Sequence, residues 1–124
     1  QESGVQIAII TGRTSEVVRI RMQSLGIEHV LQGKRDKGPA YDDLKQATGY
    51  DDVQIAYVGD DVVDLPVMVR VGLAITVQDG HRLAKQHAHW VTPSGGGRGA
   101  VREVCELILR AQGNLERALA PFLR

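Results

Sequence analysis

The sequence predicts a three-layer α/β domain built on a doubly wound, Rossmann-like parallel sheet, and three observations carry that expectation. Short β-rich apolar runs alternate with stretches of helical periodicity along the whole chain. The runs are nearly continuous instead of alternating with polar residues, as in strands buried on both faces. The conspicuous polar residues stand where strands end, at Thr11-Gly12-Arg13 and Gly59-Asp60-Asp61, and open parallel sheets bind their ligands beyond those ends.

The elements follow in order. Val5-Gln6-Ile7-Ala8-Ile9-Ile10 reads as the first strand and Gly12 stops it. Thr14 or Ser15 can cap the next helix, whose apolar positions Val18, Met22 and Leu25 lead to Gly26. Residues 28–31 give a short second strand. After the polar loop 33–38, Tyr41, Leu44 and Thr48 mark an amphipathic helix ending at Gly49. Gln54-Ile55-Ala56-Tyr57-Val58 is the clearest strand, and the helix beyond it tolerates Pro66 only in its first turn. Residues 73–77 form the next strand, 81–86 a short helix and Trp90-Val91 a last strand ahead of the glycine-rich Ser94-Gly95-Gly96-Gly97. From Ala100 onward Val101, Val104, Ile108 and Ala111 define one helical face closing at Gln112-Gly113, and residues 115–123 form an amphipathic tail.

Composition narrows the class. The 124 residues suit a single domain, 1–124, with 114–124 as its C-terminal tail. Lys plus Arg and Asp plus Glu number 15 each, so no global field draws the protein to nucleic acid or anionic lipid. Cys105 is the only cysteine, which excludes an internal disulfide and fits a reducing compartment. No apolar stretch reaches the roughly 20 residues of a membrane span and no signal peptide opens the chain; a cytoplasmic protein is expected.

Three loops carry the chemistry. Adjacent carboxylates at a strand end repel unless a cation neutralises them, and hard oxygen ligands without cysteine favour magnesium. Asp60 is the leading ligand. Asp61 and Asp64 stand where a helix begins and read equally as caps. Thr11, with its hydroxyl and neighbouring main-chain N–H groups, and Lys37 offer what phosphoryl oxygens need. Taken singly, Thr11-Gly12 is a turn and Lys37, beside Lys34 and Arg35, a solvated charge. Segment 94–99 can cradle an anion or form a tight turn. His87 and His89 lack a third ligand nearby.

The order Ile9-Ile10-Thr11-Gly12-Arg13, Lys37, then Gly59-Asp60-Asp61-Val62-Val63-Asp64 resembles the haloacid dehalogenase superfamily of phosphohydrolases. Gln32-Gly33, Tyr57-Val58, Asp64-Leu65-Pro66-Val67-Met68, Val71-Gly72-Leu73 and Gly96-Gly97-Arg98-Gly99-Ala100-Val101-Arg102-Glu103-Val104 narrow it: nearly the entire chain resembles the phosphatases of 3-deoxy-D-manno-octulosonate 8-phosphate (KDO 8-phosphate). That family is capless, homotetrameric and magnesium-dependent, and takes phosphate from a sugar acid during bacterial lipopolysaccharide biosynthesis. The resemblance implies that Thr11 binds the phosphoryl group and Lys37 steadies its charge. Asp60 then ligates magnesium, with Asp61 and Asp64 completing the metal site. It also places Gly12, Arg13, Arg21 and Arg98 against the substrate, a guanidinium fork matching a sugar acid's carboxylate, and sends the C-terminal segment to a neighbouring subunit's active site. The alternative that it packs on its own sheet stays open.

One departure matters. The family's first strand ends in Asp-x-Asp, whose first Asp attacks phosphorus, and no such pair stands ahead of Val5. That strand lies between the strands at 5–10 and 54–58, so a chain cut within its domain, with two open strand edges, is expected. Each buried backbone group left unpaired costs about 1–3 kcal/mol, which predicts an unstable or rearranged chain. The missing nucleophile also suits a non-catalytic oligomerisation module, like the phosphatase-like domain of some cytidylyltransferases. Against it, Thr11, Lys37 and Asp60 are all kept. A phosphatase for a nine-carbon sugar acid phosphate is a further alternative. A phospho-receiver domain is excluded because its acid pair precedes its Thr and Lys.

Overall fold

The structure, a computed structural model, describes residues 1–124. Five strands and six helices alternate: β1 (Ala8–Ile10), α1 (Glu16–Ser24), β2 (His29–Leu31), α2 (Lys37–Thr48), β3 (Ala56–Val58), α3 (Leu65–Met68), β4 (Leu73–Thr76), α4 (Arg82–His87), β5 (Trp90–Val91), α5 (Ala100–Ala111) and α6 (Leu115–Leu119). Single 3-10 turns occupy Asp52–Gln54, Val62–Asp64 and Ala120–Leu123. No helix is long and apolar enough to cross a membrane.

Local chemistry sets the helix ends. The Ser15 hydroxyl accepts the Val18 N–H at 3.3 Å and opens α1. Asp36 caps α2, and Gly49, at a φ of 77°, closes it in the left-handed conformation that glycine adopts without strain.

Every strand pairing is parallel, but the strands form two sheets: β1 with β2, and β3, β4 and β5 in that order. No strand joins β1 to β3, so each keeps one edge without a strand partner. The ladder of β1 starts at Ala8 instead of Val5, because β2, its one partner, meets it only over Ala8–Ile10. Val58, expected to be buried, is 40% exposed and lies on β3, which has a strand partner on one edge only.

One core nevertheless serves both sheets. Tyr41, Val67, Met68, Val71, Ala74 and Ala84 form it, and Ile10 of β1 and Tyr57 of β3 pack against it. Tyr41 of α2 is the bridge. Its hydroxyl donates to Asp52 at 2.6 Å, and the Arg70 guanidinium lies 4.7 Å from its ring centre while pairing with Asp42 at 2.7 Å. Lys45 reaches Asp52 at 2.9 Å. On α5, Ala100 and Val104 are buried whereas Val101 is 69% exposed. The inner stripe runs at i, i+4 from Ala100, and Val101 is turned away from it. Phe122 and Leu123 stand in solvent at the end of the tail.

Candidate functional site

The turn after β3 is organised by Asp64, a carboxylate only 3% exposed. Its Oδ1 accepts from the Lys37 ammonium at 2.7 Å and the Tyr57 hydroxyl at 2.6 Å. Its Oδ2 accepts the main-chain N–H groups of Asp60 at 2.9 Å and Asp61 at 3.1 Å. Burial by itself raises the Asp64 carboxyl, but the hydrogen bonds from Lys37 and Tyr57 outweigh it and hold the group below its ordinary value. Tyr57 is pushed far up, by burial first and then by its bond to Asp64. Gly59 is required here, since a Cβ would overlap the Asp64 side chain and come 2.9 Å from the Tyr57 ring.

Asp64, expected to join Asp60 and Asp61 at the metal, has both oxygens engaged by protein donors. No group of three His, Cys, Asp or Glu side chains gathers anywhere to hold a metal. Asp60 is exposed and its carboxylate makes no hydrogen bond within the protein, while Asp61 accepts the Val62 N–H at 2.7 Å. Two hard carboxylates at a strand end, the first unencumbered, fit a magnesium ion, which takes oxygen ligands.

The remaining residues of the site are distributed as follows. Thr11 follows β1; its hydroxyl accepts the Arg13 N–H at 3.2 Å, and its main chain is fixed to β2 and the loop beyond by bonds to Leu31 and Lys34. Gly12 is not sterically required, as a Cβ there meets only the Lys34 carbonyl at 3.7 Å. Arg13, Arg21 and Arg98 are exposed, and their guanidinium groups make no bond within the chain. Lys37 is the first residue of α2 and mostly buried. The structure thus joins Lys37 to the Asp60-Asp61 turn through Asp64, and sets Thr11 at the end of a different sheet.

Two side chains escaped the sequence reading. Tyr57 figured in the sequence only as part of its strand and of the resemblance, with no role of its own. Asp79, whose Oδ1 accepts the Gly96 N–H at 2.8 Å, places an exposed carboxylate at the glycine-rich loop. His89 is structural: its Nδ1 accepts the Ala74 N–H at 2.7 Å, leaving that nitrogen unable to bind metal.

A parallel α/β fold with a carboxylate turn, a threonine and a lysine near strand ends defines a phosphohydrolase-type scaffold. The haloacid dehalogenase-like hydrolase profile matches residues 16–103, and the chain belongs to that family. It is 50% identical over 116 residues to 3-deoxy-D-manno-octulosonate 8-phosphate phosphatase KdsC of Yersinia pestis, covering 94% of this chain and 62% of that protein. The chain thus spans less than two thirds of the length of such curated relatives. Among solved structures, a probable YrbI family phosphatase from Pseudomonas syringae matches with a TM-score of 0.96 at 49% identity, over 99% of this chain and 70% of the other. The Moraxella catarrhalis KDO 8-phosphate phosphatase, in complex with magnesium, phosphate and KDO, matches with a TM-score of 0.94 at 43% identity, over 98% and 70%.

Proposed function

We propose that this chain supplies the metal-binding and phosphate-binding scaffold of a magnesium-dependent phosphatase acting on KDO 8-phosphate. The observation that carries this reading is the Asp64 hub, which holds the Lys37 ammonium and the Asp60-Asp61 turn on one buried carboxylate. Relatives sharing about half of its residues act on that substrate, and one was solved with magnesium, phosphate and KDO together.

In this reading Asp60, with Asp61 beside it, holds magnesium, and Asp64 positions both without ligating. When bound, the ion supplies Lewis-acid stabilisation of charge on the phosphoryl oxygens. Lys37 adds a second positive charge there, from a site where burial strengthens electrostatic interactions. Thr11 offers its hydroxyl and Gly12 its N–H to the phosphoryl oxygens, and Arg13, Arg21 and Arg98 remain free to pair with the sugar acid's carboxylate and hydroxyls. The open edges of β1 and β3 take a further parallel strand carrying the attacking carboxylate. A cytoplasmic homotetramer serving lipopolysaccharide biosynthesis completes the proposal.

The test is phosphate release from KDO 8-phosphate by the complete protein, with magnesium and with chelator, alongside Asp60→Asn and Lys37→Ala. Each variant is expected to lose about a hundredfold or more in kcat, and chelation to abolish turnover. Release indifferent to chelator or to Asp60→Asn would overturn the reading. Light scattering of the same sample tests the tetramer.

A further inference from the structure

The glycine-rich loop 94–99 rests on the Asp79 side chain. Besides the Gly96 N–H bond to Asp79 Oδ1 at 2.8 Å, a Cβ at Gly95 would stand 3.1 Å from the Asp79 carboxyl carbon, so loop backbone and carboxylate are in close contact. The loop is held on its other flank as well. The Ser94 carbonyl accepts from the Thr92 hydroxyl at 2.6 Å and the Ser94 N–H donates to Glu103 at 3.0 Å.

The residues flanking Asp79 tie down two different segments. The Gln78 N–H donates to the Ser94 carbonyl at 3.2 Å, and the His81 N–H to the Asp60 carbonyl at 2.8 Å. Gly80, between them, has no space for a side chain, because a Cβ would overlap the buried Thr76 hydroxyl. The short turn from Val77 to His81 therefore spans from the acidic turn to the glycine-rich loop, with Asp79 as its only carboxylate. At the far side of the loop, the Arg98 N–H donates to the Gly95 carbonyl at 3.1 Å. The Gly96 N–H holds the Asp79 carboxyl below its ordinary value, and the Arg98 charge acts in the same direction. Because Asp79 takes the Gly96 N–H, that donor is not free for an outside anion.

We propose that Asp79 is a positioning residue for this site: its carboxylate fixes the glycine-rich loop, and with it Arg98, relative to the Asp60-Asp61 turn. The proposal rests on the phosphatase reading and deepens it by assigning Arg98 to substrate binding instead of chemistry. Its consequence is a division of labour. Asp64 sets the groups that act on phosphorus, and Asp79 sets a guanidinium that holds the rest of the substrate.

The experiment is steady-state kinetics of the complete protein on KDO 8-phosphate with magnesium. Asp79→Ala is expected to raise KM about five- to tenfold with kcat changed less than about twofold. Asp79→Asn keeps an oxygen acceptor for Gly96 and is expected to retain a KM within about twofold of wild type. Arg98→Ala gives a similar rise, and Asp79→Ala adds nothing to it in the double variant, because both remove one function. Asp79→Glu, whose longer side chain displaces the loop, gives the same KM rise should the alanine variant fail to fold. A wild-type KM in both Asp79→Ala and Asp79→Glu, a fall confined to kcat, or additive effects with Arg98→Ala would overturn the proposal. Lack of phosphate release by the wild-type protein would instead defeat the phosphatase reading. Amide exchange at Gly96, faster in Asp79→Ala only if the carboxylate holds it, then decides the contact independently of activity.

Discussion

Lys37 and Asp64 lie 27 residues apart in sequence, yet the ammonium stands 2.7 Å from the carboxylate, both largely out of solvent. A buried ion pair contributes little net stability compared with apolar packing, but removing one partner strands the other in a medium that cannot solvate it. The pair therefore fixes geometry first: it locks the first turn of α2 to the turn following β3.

Asp64→Ala removes the acceptor for an ammonium, a hydroxyl and two main-chain N–H groups at once. Urea unfolding is expected to show a loss of about 3–5 kcal/mol. Tyr57→Phe, which deletes one donor and leaves three, is expected to cost about 1 kcal/mol. Equal losses for the two variants would contradict the hub.

Gly59→Ala has no room to be accommodated, since the new methyl overlaps Asp64 and the Tyr57 ring. Overpacking of this kind costs about 1–3 kcal/mol. The displaced Asp64 should also weaken magnesium binding, measured by isothermal titration, beyond the change in melting temperature. Gly12→Ala, which meets only one carbonyl at ordinary contact, is expected to leave stability nearly unchanged.

The acid sensitivity of the Tyr41 bridge has a definite sign. Asp52 is held below its ordinary value, first by the Tyr41 hydroxyl and then by Lys45. A carboxyl lowered on folding stabilises above its unfolded pKa of about 3.9, and that contribution is lost as pH falls through the lower folded value. Melting temperature should therefore fall more steeply below about pH 4 in wild type than in Asp52→Asn. Parallel profiles would remove the bridge from the explanation.

His89 substitutes for a missing acceptor beside β4. His89→Ala leaves the N–H of the fully buried Ala74 unpaired and is expected to cost about 1–3 kcal/mol. His89→Asn, whose amide oxygen can stand near Nδ1, should recover much of it. Metal addition is expected to change the melting temperature of neither wild type nor variant through this residue.

What was legible in the sequence is what depends on near neighbours. Ser15, Gly26 and Gly49 end helices through contacts within a few residues, and their types announce it. The acidic turn and its glycine were visible for the same reason. The contacts of Asp64 were not legible because two of its partners, Lys37 and Tyr57, come from another helix and from the preceding strand. Asp79 went unseen because its partner, Gly96, lies 17 residues on. Strand extents were overread at Val5-Gln6-Ile7, since apolar character records a tendency to pair and not the presence of a partner. Val101 was placed inward by a period that suited Val104 and Ile108 equally well.

The unpaired edges of β1 and β3 have a consequence for handling the molecule. Parallel strands with exposed Ile7 and Val58 beside them are templates for recruiting other chains edge to edge. Concentrated samples of these residues alone should therefore drift toward cross-β aggregates, and a lysine at Ile7 or Val58 is the smallest change that should keep them dispersed.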